Sequence, residues 1–285
     1  MEAVLAEPAV RLQLHAEVGQ YRLRMANSAA DREAACRLRF RVFNIELGEG
    51  LDSSYDTGLD VDEFDRFCDH LLVEDKQSRK VVGTYRMQSG ATAAANLGYY
   101  SEREFSFAPY EPLRPEILEL GRASIDREHR TPEVLTLLWR GIAQYATDRG
   151  LRYLIGCSSL HSRNPEEGWQ MYDQLGHYLV APEFQTEVTA AYGSPCNQPV
   201  RPSQTEATEE SPTLPSAADN AVQAENVVKV PKLLRTYLTI GARIAAPPAW
   251  DREFGTIDFL TLLDLRTISA SARNRFLAPL TPRTR

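Results

Sequence analysis

Two charged residues lie within the segment ILELGRASI (117–125), which is otherwise apolar enough to be buried. They are Glu119 and Arg122, and buried charges are costly unless they are paired or functional. Positions three apart in a regular strand face opposite sides, but Gly121 between them predicts a bulge that turns both side chains to one side. Burial raises the pKa of a carboxyl, which suits a general base near neutral pH. The alternatives are a catalytic pair and a structural ion pair.

The acidic run DVDEFD (60–65) is a second candidate, with four carboxylates in six residues. Such groups repel one another, so they lie in solvent, bind a cation or face a cationic substrate. The run lacks the glycine and the spaced terminal glutamate of a calcium loop. We expect a solvated loop, and a site for an ammonium-bearing substrate is the sharper alternative.

Two cationic segments have the composition of an anion site. Arg39 and Phe43 share a helix face beside an apolar row and could form one wall of an anion-binding cleft, the alternative being a solvated charge beside a core aromatic. Arg127 and Arg130 precede Thr131–Pro132, a predicted helix start. Free backbone N–H groups and the helix dipole favour a phosphate there, and the alternative is an ordinary basic turn.

Hydrophobic periodicity and turn residues predict the elements that carry these side chains. The predicted strands are 21–26, 69–75, 80–88, 117–126 and 152–158. The predicted helices are 28–47, with Ser28 as N-cap, 131–149 and 166–176. Because strands alternate with helices, we expect a mixed α/β layer fold.

A change in composition after Tyr192 divides the chain. Residues 193–226 carry five prolines between 193 and 220 and almost no large apolar side chain, so they are predicted to be a disordered linker. Residues 20–192 form the predicted core, and 227–277 supply a helix and a strand that complete the same domain. We expect residues 1–19 and 278–285 to be tails.

The overall composition argues against several classes of protein. The 285 residues carry 32 Lys and Arg against 39 Asp and Glu, and a net charge of −7 argues against a nucleic-acid partner. The four cysteines are scattered without a CxxC pair, which predicts free thiols and no structural metal site. No apolar run approaches the ~20 residues of a membrane span, and no secretory signal is visible, so we expect a cytoplasmic protein.

Eight segments together resemble the GNAT-type acyltransferase superfamily, and within it the hemolysin-like branch that includes the ornithine–acyl-carrier-protein N-acyltransferases. They are RLRFRVF (37–43), DEFDRFCDHLLV (62–73), VVGTYRM (81–87), YYSEREF (99–105), ILELGRASID (117–126), LLWRGIAQY (137–145), NPEEGWQMYDQLG (164–176) and PPAWDREFGTIDFLTLLDL (247–265). The resemblance implies a GNAT-like acyl-CoA N-acyltransferase fold of class α/β (α+β), with a mixed, mostly antiparallel twisted sheet flanked by helices. Two of its strands would splay near Gly121 and hold a pantetheine arm.

A second resemblance, to acyl-homoserine-lactone synthases, runs through the same positions. The matching set is Arg39, Phe43, Asp62, Asp65, Arg86, Glu119 and Arg122. Those synthases have a tryptophan after the phenylalanine, whereas this chain has Glu49 in a glycine-flanked stretch. Together with the 247–265 block, this difference ranks lactone synthesis below amino-acid acylation.

The resemblance implies roles for these residues. In the catalytic set, Glu119 removes a proton from the acceptor's α-amine, Arg122 lies beside it and Tyr172 protonates the departing thiolate. Packing of its own helix is the alternative for Tyr172. The substrate-binding set is Arg39, Phe43, Asp62, Asp65 and Arg86. Arg86, or Arg122 of the catalytic set, would bind the acceptor carboxylate, and the two aspartates would bind a side-chain ammonium. The carrier-binding set is Arg127, Arg130 and Thr131.

The implied reaction moves a fatty acyl or 3-hydroxyacyl group from an acyl-carrier-protein thioester to an amino acid, foremost L-ornithine, giving lyso-ornithine lipid. Alternatives are acylation of glycine or tyrosine, lactone synthesis and a non-catalytic acyl-carrier or lipid-binding module. No cofactor is expected to be permanently bound. Because Arg127–Pro132 lacks the glycines of the GNAT pyrophosphate turn, acyl carrier protein ranks above coenzyme A as donor.

An acidic carrier protein would dock on a local basic patch. We expect this patch to consist of Arg122, Arg127, Arg130, Arg149, Arg152 and Arg163. The lipid product further implies peripheral contact with the inner membrane.

Overall fold

The computed structural model describes residues 14–195, 228–276 and 278. The strands are β1 (His15–Val18), β2 (Tyr21–Met25), β3 (Asp69–Asp75), β4 (Lys80–Ser89), β5 (Ile117–Ile125), β6 (Tyr153–Leu160), β7 (Arg243–Ile244), β8 (Ala249–Asp251) and β9 (Thr256–Asp264). The α-helices are α1 (Ala29–Phe40), α2 (Ser54–Thr57), α3 (Gly90–Ala95), α4 (Pro132–Asp148), α5 (Pro165–Gln174), α6 (Lys232–Ile240) and α7 (Ala270–Phe276). A π-helical segment spans Arg41–Leu47, and the longer 3-10 turns are Glu63–Arg66, Tyr100–Arg103 and Ala108–Glu116.

The described part of the chain divides into two compact units. Among the described residues, the first unit comprises 14–100, 112–156, 263–276 and 278, and the second comprises 101–111, 157–195 and 228–262. The predicted linker, 193–226, lies outside the described residues except for its first three positions. No helix in the described part of the chain is long and apolar enough to cross a membrane.

In the first unit, β1 to β5 form an antiparallel array in chain order, and β6 joins β5 in parallel. The predicted mixed, mostly antiparallel sheet is therefore confirmed. A Cβ on Gly141 of α4 would lie 2.7 Å from Leu23 and 2.9 Å from Leu71, so the glycine lets α4 approach the sheet closely. Ala35 and Leu38 of α1 pack in an apolar cluster that also contains Leu72 of β3.

The predicted tail 1–19 is wrong for its last residues, because β1 occupies His15–Val18 and pairs with β2. Gly19 and Gln20 form the two-residue connection, with Gly19 at φ +55. A two-residue hairpin needs left-handed backbone, which glycine adopts without a steric penalty. The pattern was readable in the sequence, since a glycine separates two short alternating stretches.

The first helix begins where the sequence predicts it. Ser28 is the N-cap, and its hydroxyl accepts a hydrogen bond from the Asp31 N–H at 3.1 Å. The single predicted helix 28–47 is wrong in its second part, because the α-helix ends at Phe40 and a π-helical segment continues to Leu47. Gly48 ends that segment in the left-handed conformation at φ +67.

In the second unit, β9 pairs antiparallel with β7 and with β8. α5 and α6 contribute to an apolar core whose buried members are Leu160, Met171, Leu175, Leu234, Leu238, Ile244, Ile257 and Phe259. The segment after the predicted linker thus contributes a helix and strands to this apolar core.

Candidate active site

A β-bulge re-aims the central residues of β5. Thr84 of β4 faces Ser124 and Arg86 faces Gly121, so Arg122 and Ala123 together oppose a single β4 residue. Arg122 has φ +50, while Gly121 lies outside the left-handed region. The sequence predicts the bulge correctly, but the left-handed residue is the arginine after the glycine. Such a conformation costs about 1–2 kcal/mol in an L-residue, so the surrounding contacts must hold it.

The pairing of β5 with β6 covers Ile117–Glu119 against Tyr153–Ile155, although β5 continues to Ile125. At the next position, a Cβ on Gly156 would lie 2.2 Å from the Leu120 carbonyl oxygen. The β5 backbone thus passes very close to Gly156 where the pairing ends. Glu119 is the last residue of β5 that pairs with β6, two residues before Gly121, near which the resemblance implies that the two strands splay.

Arg39 is completely buried and bound to two carboxylates. Its Nε donates to Asp60 Oδ1 at 2.8 Å, and its Nη2 donates to the same oxygen. Nη1 and Nη2 donate to the two Asp65 oxygens at 2.6 and 3.0 Å. These donors are therefore engaged within the protein, and Arg39 does not form an open wall for an anion.

Two further arginines complete a buried ionic network. Arg86 Nη1 donates to both Asp62 oxygens at 2.6 Å and lies 3.4 Å from Asp65 Oδ1. Arg122 lies 3.5 Å from Asp60 and 3.4 Å from Asp62. The predicted solvated loop is wrong for Asp60 and Asp65, which are buried because three arginines neutralise the three aspartates.

The network fixes the ionisation of its members. Burial by itself would raise the pKa of Asp65, but the hydrogen bond to His70 (3.0 Å) and the charge of Arg39 outweigh it and hold that pKa well below its usual range. Burial lowers and the aspartates raise the pKa of Arg39 and of Arg86, with a net increase for both. The pKa of Asp62 is lowered, because Arg86 outweighs burial. All four side chains remain charged at neutral pH.

Glu119 is 5% exposed, and its Oε2 accepts a hydrogen bond from the Tyr100 backbone N–H at 2.9 Å. The centre of the Tyr100 ring lies 5.2 Å from the Arg86 guanidinium and 5.4 Å from that of Arg122. Arg122 also lies 5.8 Å from the Phe43 ring centre. The structure thus brings together Arg39, Phe43, Asp62, Asp65, Arg86, Glu119 and Arg122.

Three residues of this site, Asp60, His70 and Tyr100, have no role that a sequence motif predicts. Asp60 is part of the acidic run, but its pairing with Arg39 depends on the tertiary fold. His70 contacts Asp65 from β3, and Tyr100 contacts Glu119 through its backbone. A backbone contact carries no side-chain signal, so only the YYSEREF segment as a whole indicated that Tyr100 mattered.

The other predicted residues lie elsewhere. Tyr172 belongs to the second unit, where it packs half-buried against the apolar core with its ring 5.9 Å from that of Trp169. Thr131 is the N-cap of α4 and accepts from the Val134 N–H at 3.4 Å. Arg127 lies in a 3-10 turn, and Arg130 forms a bidentate pair with Glu46 at 2.6 and 2.7 Å.

The predicted basic patch is largely neutralised. Arg122 contacts Asp60 and Asp62, and Arg130 contacts Glu46. Arg149 lies 3.6 Å from Asp69, and Arg152 lies 2.6 Å from Asp264. Four of the six arginines therefore have carboxylate partners within this chain.

The second unit contains a separate group of buried acids. Glu104, Cys157 and Asp258 offer ligand atoms within 4.8 Å of one another, a proximity that the scattered cysteines do not predict. Burial and the neighbouring carboxylates raise the pKa of Glu104 well above its usual value, and burial raises that of Asp258 to about 6. Within the described residues, Cys36, Cys68 and Cys157 form no disulfide, and Cys196 lies outside the described residues.

The mixed sheet with flanking helices is that of a GNAT acyltransferase, and residues 38–140 match the family model described as an acetyltransferase (GNAT) domain. The chain is 32% identical over 263 residues to an L-ornithine N(alpha)-acyltransferase of Brucella abortus (strain 2308), covering 89% of this chain and 87% of the relative. A second L-ornithine N(alpha)-acyltransferase, from Agrobacterium fabrum, is 31% identical over 90% of this chain and 85% of its own. The chain therefore belongs to the L-ornithine N(alpha)-acyltransferase family, and it is an acyltransferase.

Among solved structures, the chain is similar to FeeM, an N-acyl amino acid synthase from uncultured soil microbes. The TM-score is 0.49 with 12% identity, covering 91% of this chain and 97% of the other. Since both values are low, the family assignment depends on the sequence relatives.

Proposed function

We propose that the chain transfers a fatty acyl or 3-hydroxyacyl group from an acyl-carrier-protein thioester to the α-amine of L-ornithine, giving lyso-ornithine lipid. The names of the relatives support ornithine as acceptor. The observation that carries the mechanism is the position of Glu119, a buried carboxylate at the end of the β5–β6 pairing with its Oε2 held by the Tyr100 N–H.

In the proposed reaction Glu119 takes a proton from the acceptor ammonium, and the amine attacks the thioester carbonyl. Backbone N–H groups of β5 beyond Glu119 stabilise the oxyanion, because this part of the strand continues past its pairing with β6.

The arginines differ in their suitability for the acceptor carboxylate. Arg86 is held by Asp62 at 2.6 Å, whereas Arg122 contacts Asp60 and Asp62 at 3.4–3.5 Å. Arg122 is therefore the better candidate, since its contacts with these aspartates are longer. For Asp62 or Asp65 to bind the ornithine side-chain ammonium, the ammonium must exchange with an arginine that is already present.

On the donor side, we propose that Arg127, Arg130 and Thr131 bind the single phosphate of the carrier's prosthetic arm at the start of α4. The free N–H groups of this 17-residue helix favour an anion. Arg130 must then exchange its contact with Glu46 for the phosphate.

Thiol release tests the proposal directly. The purified chain is incubated with 3-hydroxyacyl carrier protein or the matching coenzyme A thioester, together with ornithine, glycine, tyrosine or no amine, and products are identified by mass. We expect release that is fastest with carrier protein and ornithine. Equal rates with both donors would refute the donor assignment, and release that no amine stimulates would favour a binding module.

A further inference from the structure

Gln88 of β4 lies directly opposite Glu119 of β5 in the antiparallel register. Side chains of directly opposed residues leave the sheet from the same face and are close neighbours. Arg86, two residues before Gln88, shares that face because side chains alternate along a strand. Gln88 therefore belongs to the surface that carries the proposed base and the ionic network, although no sequence motif indicates it.

The orientation of the Gln88 amide is determined by one hydrogen bond. Its Nε2 donates to the Gly98 carbonyl oxygen at 2.9 Å, which identifies the other end of the amide as oxygen. That oxygen, Oε1, is buried and has no hydrogen-bond partner among the residues that the structure describes, and the residue is only 2% exposed. A buried carbonyl without a partner is unfavourable, and such groups are rare in folded proteins unless they are used.

One short segment holds both side chains. The Gly98 carbonyl binds Gln88, and two residues later the Tyr100 N–H binds Glu119 at 2.9 Å. Segment 98–100 thus anchors one atom of each side chain, and Gln88 Oε1 remains as a fixed acceptor beside a carboxylate. Two hydrogen-bond acceptors on one face suit a ligand with several N–H donors, which is the character of a primary ammonium group.

We propose that Gln88 binds the acceptor amine, its Oε1 accepting one N–H while Glu119 takes a proton from the same nitrogen. The inference rests on the proposed function and deepens it by assigning the residue that orients the nucleophile. One ammonium proton passes to Glu119, and the nitrogen lone pair then forms the C–N bond. As the C–S bond breaks, its electron pair leaves with sulfur, which receives the second proton. The third proton stays on the amide nitrogen and is the one that Gln88 holds.

The test compares three variants of the full chain, assayed with acyl carrier protein thioester and L-ornithine. Gln88→Met keeps the side-chain length but removes the acceptor oxygen, whereas Gln88→Glu keeps an oxygen and loses the N–H donor. Thr84→Val is the matched control, because the Thr84 hydroxyl on the same strand is also buried without a partner in the described part of the chain, but Thr84 lies opposite Ser124 and not opposite Glu119. Thermal unfolding of each variant monitors the fold.

We expect kcat/KM for ornithine to fall roughly 10- to 100-fold in Gln88→Met, the range of one hydrogen bond to a charged group. The KM for the acyl donor should stay unchanged, and Thr84→Val should match the wild type. Gln88→Glu should retain more activity than Gln88→Met, with the acid limb of its pH profile moved to higher pH because two neighbouring carboxyls repel.

Two results would overturn the inference while leaving the proposed function intact. The first is an unchanged kcat/KM for ornithine in Gln88→Met. The second is an equal loss of kcat/KM for ornithine and for the acyl donor, accompanied by a lower melting temperature. The second would reduce Gln88 to a structural role through Gly98. A wild-type protein that acylates no amine would instead refute the proposed function, and the assignment of Gln88 with it.

Discussion

Arg86 Nη1 lies 2.6 Å from each carboxylate oxygen of Asp62. The two residues come from β4 and from the turn before β3, and both are almost fully buried, with side chains 4% and 11% exposed. A zwitterionic amino acid carries the same two charges as this pair. The surface around Glu119 therefore already holds the complementary charges that such a substrate would need, arranged as internal ion pairs.

Replacing Asp65 by Asn should lower the free energy of unfolding by about 3–5 kcal/mol, because it removes one of the two carboxylate partners of the buried Arg39 and weakens the contacts of His70 and Arg86. Urea denaturation measures the change. Glu33→Gln is the control, since Glu33 pairs with Arg37 on the exposed face of α1 and should contribute less than about 1 kcal/mol. Similar losses in the two variants would contradict a structural role for the network.

Glu119→Gln should reduce the chemical step by about 10²–10⁴-fold while the protein remains folded, since the amide keeps an oxygen for the Tyr100 N–H but cannot take a proton. Single-turnover acyl transfer measures the step, and circular dichroism checks the fold. Turnover close to that of the wild type would remove Glu119 from the mechanism.

Two glycines on neighbouring strands should respond differently to alanine. In Gly156→Ala the new methyl group would meet the Leu120 carbonyl 2.2 Å away, so β5 and β6 must move apart and stability should fall by about 1–3 kcal/mol or more. In Gly121→Ala the methyl group has open space, and the change should stay within about 1 kcal/mol. Thermal unfolding of the two variants measures these losses. A larger loss of stability in Gly121→Ala than in Gly156→Ala would contradict the close approach of β5 to Gly156.

The buried acids of the second unit should make the protein less stable as the pH rises above 4. The pKa of folded Asp258 is about 6, above the unfolded value near 4. Between these values the folded state keeps a proton that the unfolded chain has lost, so the free energy of unfolding falls as pH increases. Asp258→Asn should flatten this part of the urea-derived stability profile.

Asp56→Asn, at an exposed carboxylate of α2, serves as the control and should leave the profile unchanged. A profile for Asp258→Asn that matches the wild type between pH 4 and 7 would contradict the assignment. Asp65 acts in a different interval: its pKa is lowered, so its contribution is complete above about pH 4 and is lost as the pH falls below that value.

Local signals predicted most of the elements in the first unit. The Ser28 cap, the strands β3 and β4 and the helix α4 lie within a residue or two of their predicted positions, because each depends on neighbouring residues alone. The bulge in β5 was also predicted, although its left-handed residue is Arg122.

Sequence patterns do not predict the pairing of the aspartates with the arginines. The acidic run was expected in solvent because its own repulsion is visible locally, whereas its neutralisation requires Arg39, Arg86 and Arg122 from three separate elements. Gln88 has no distinctive neighbours in the chain, and only the strand register places it opposite Glu119.

The π-helical segment Arg41–Leu47 makes one end of this surface sensitive to chain length. A π-helical turn accommodates about one residue more than an α-helical turn, so deleting a residue within it would let the helix close into regular α geometry. The side chains within the segment would then be redistributed around the helix axis, whereas those on either side of it would keep their orientation. Phe43 would be carried away from Arg122, or Glu46 from Arg130. Single-residue length variation in this segment is therefore a route by which the shape of the surface around Arg122 can change without any substitution in the sheet.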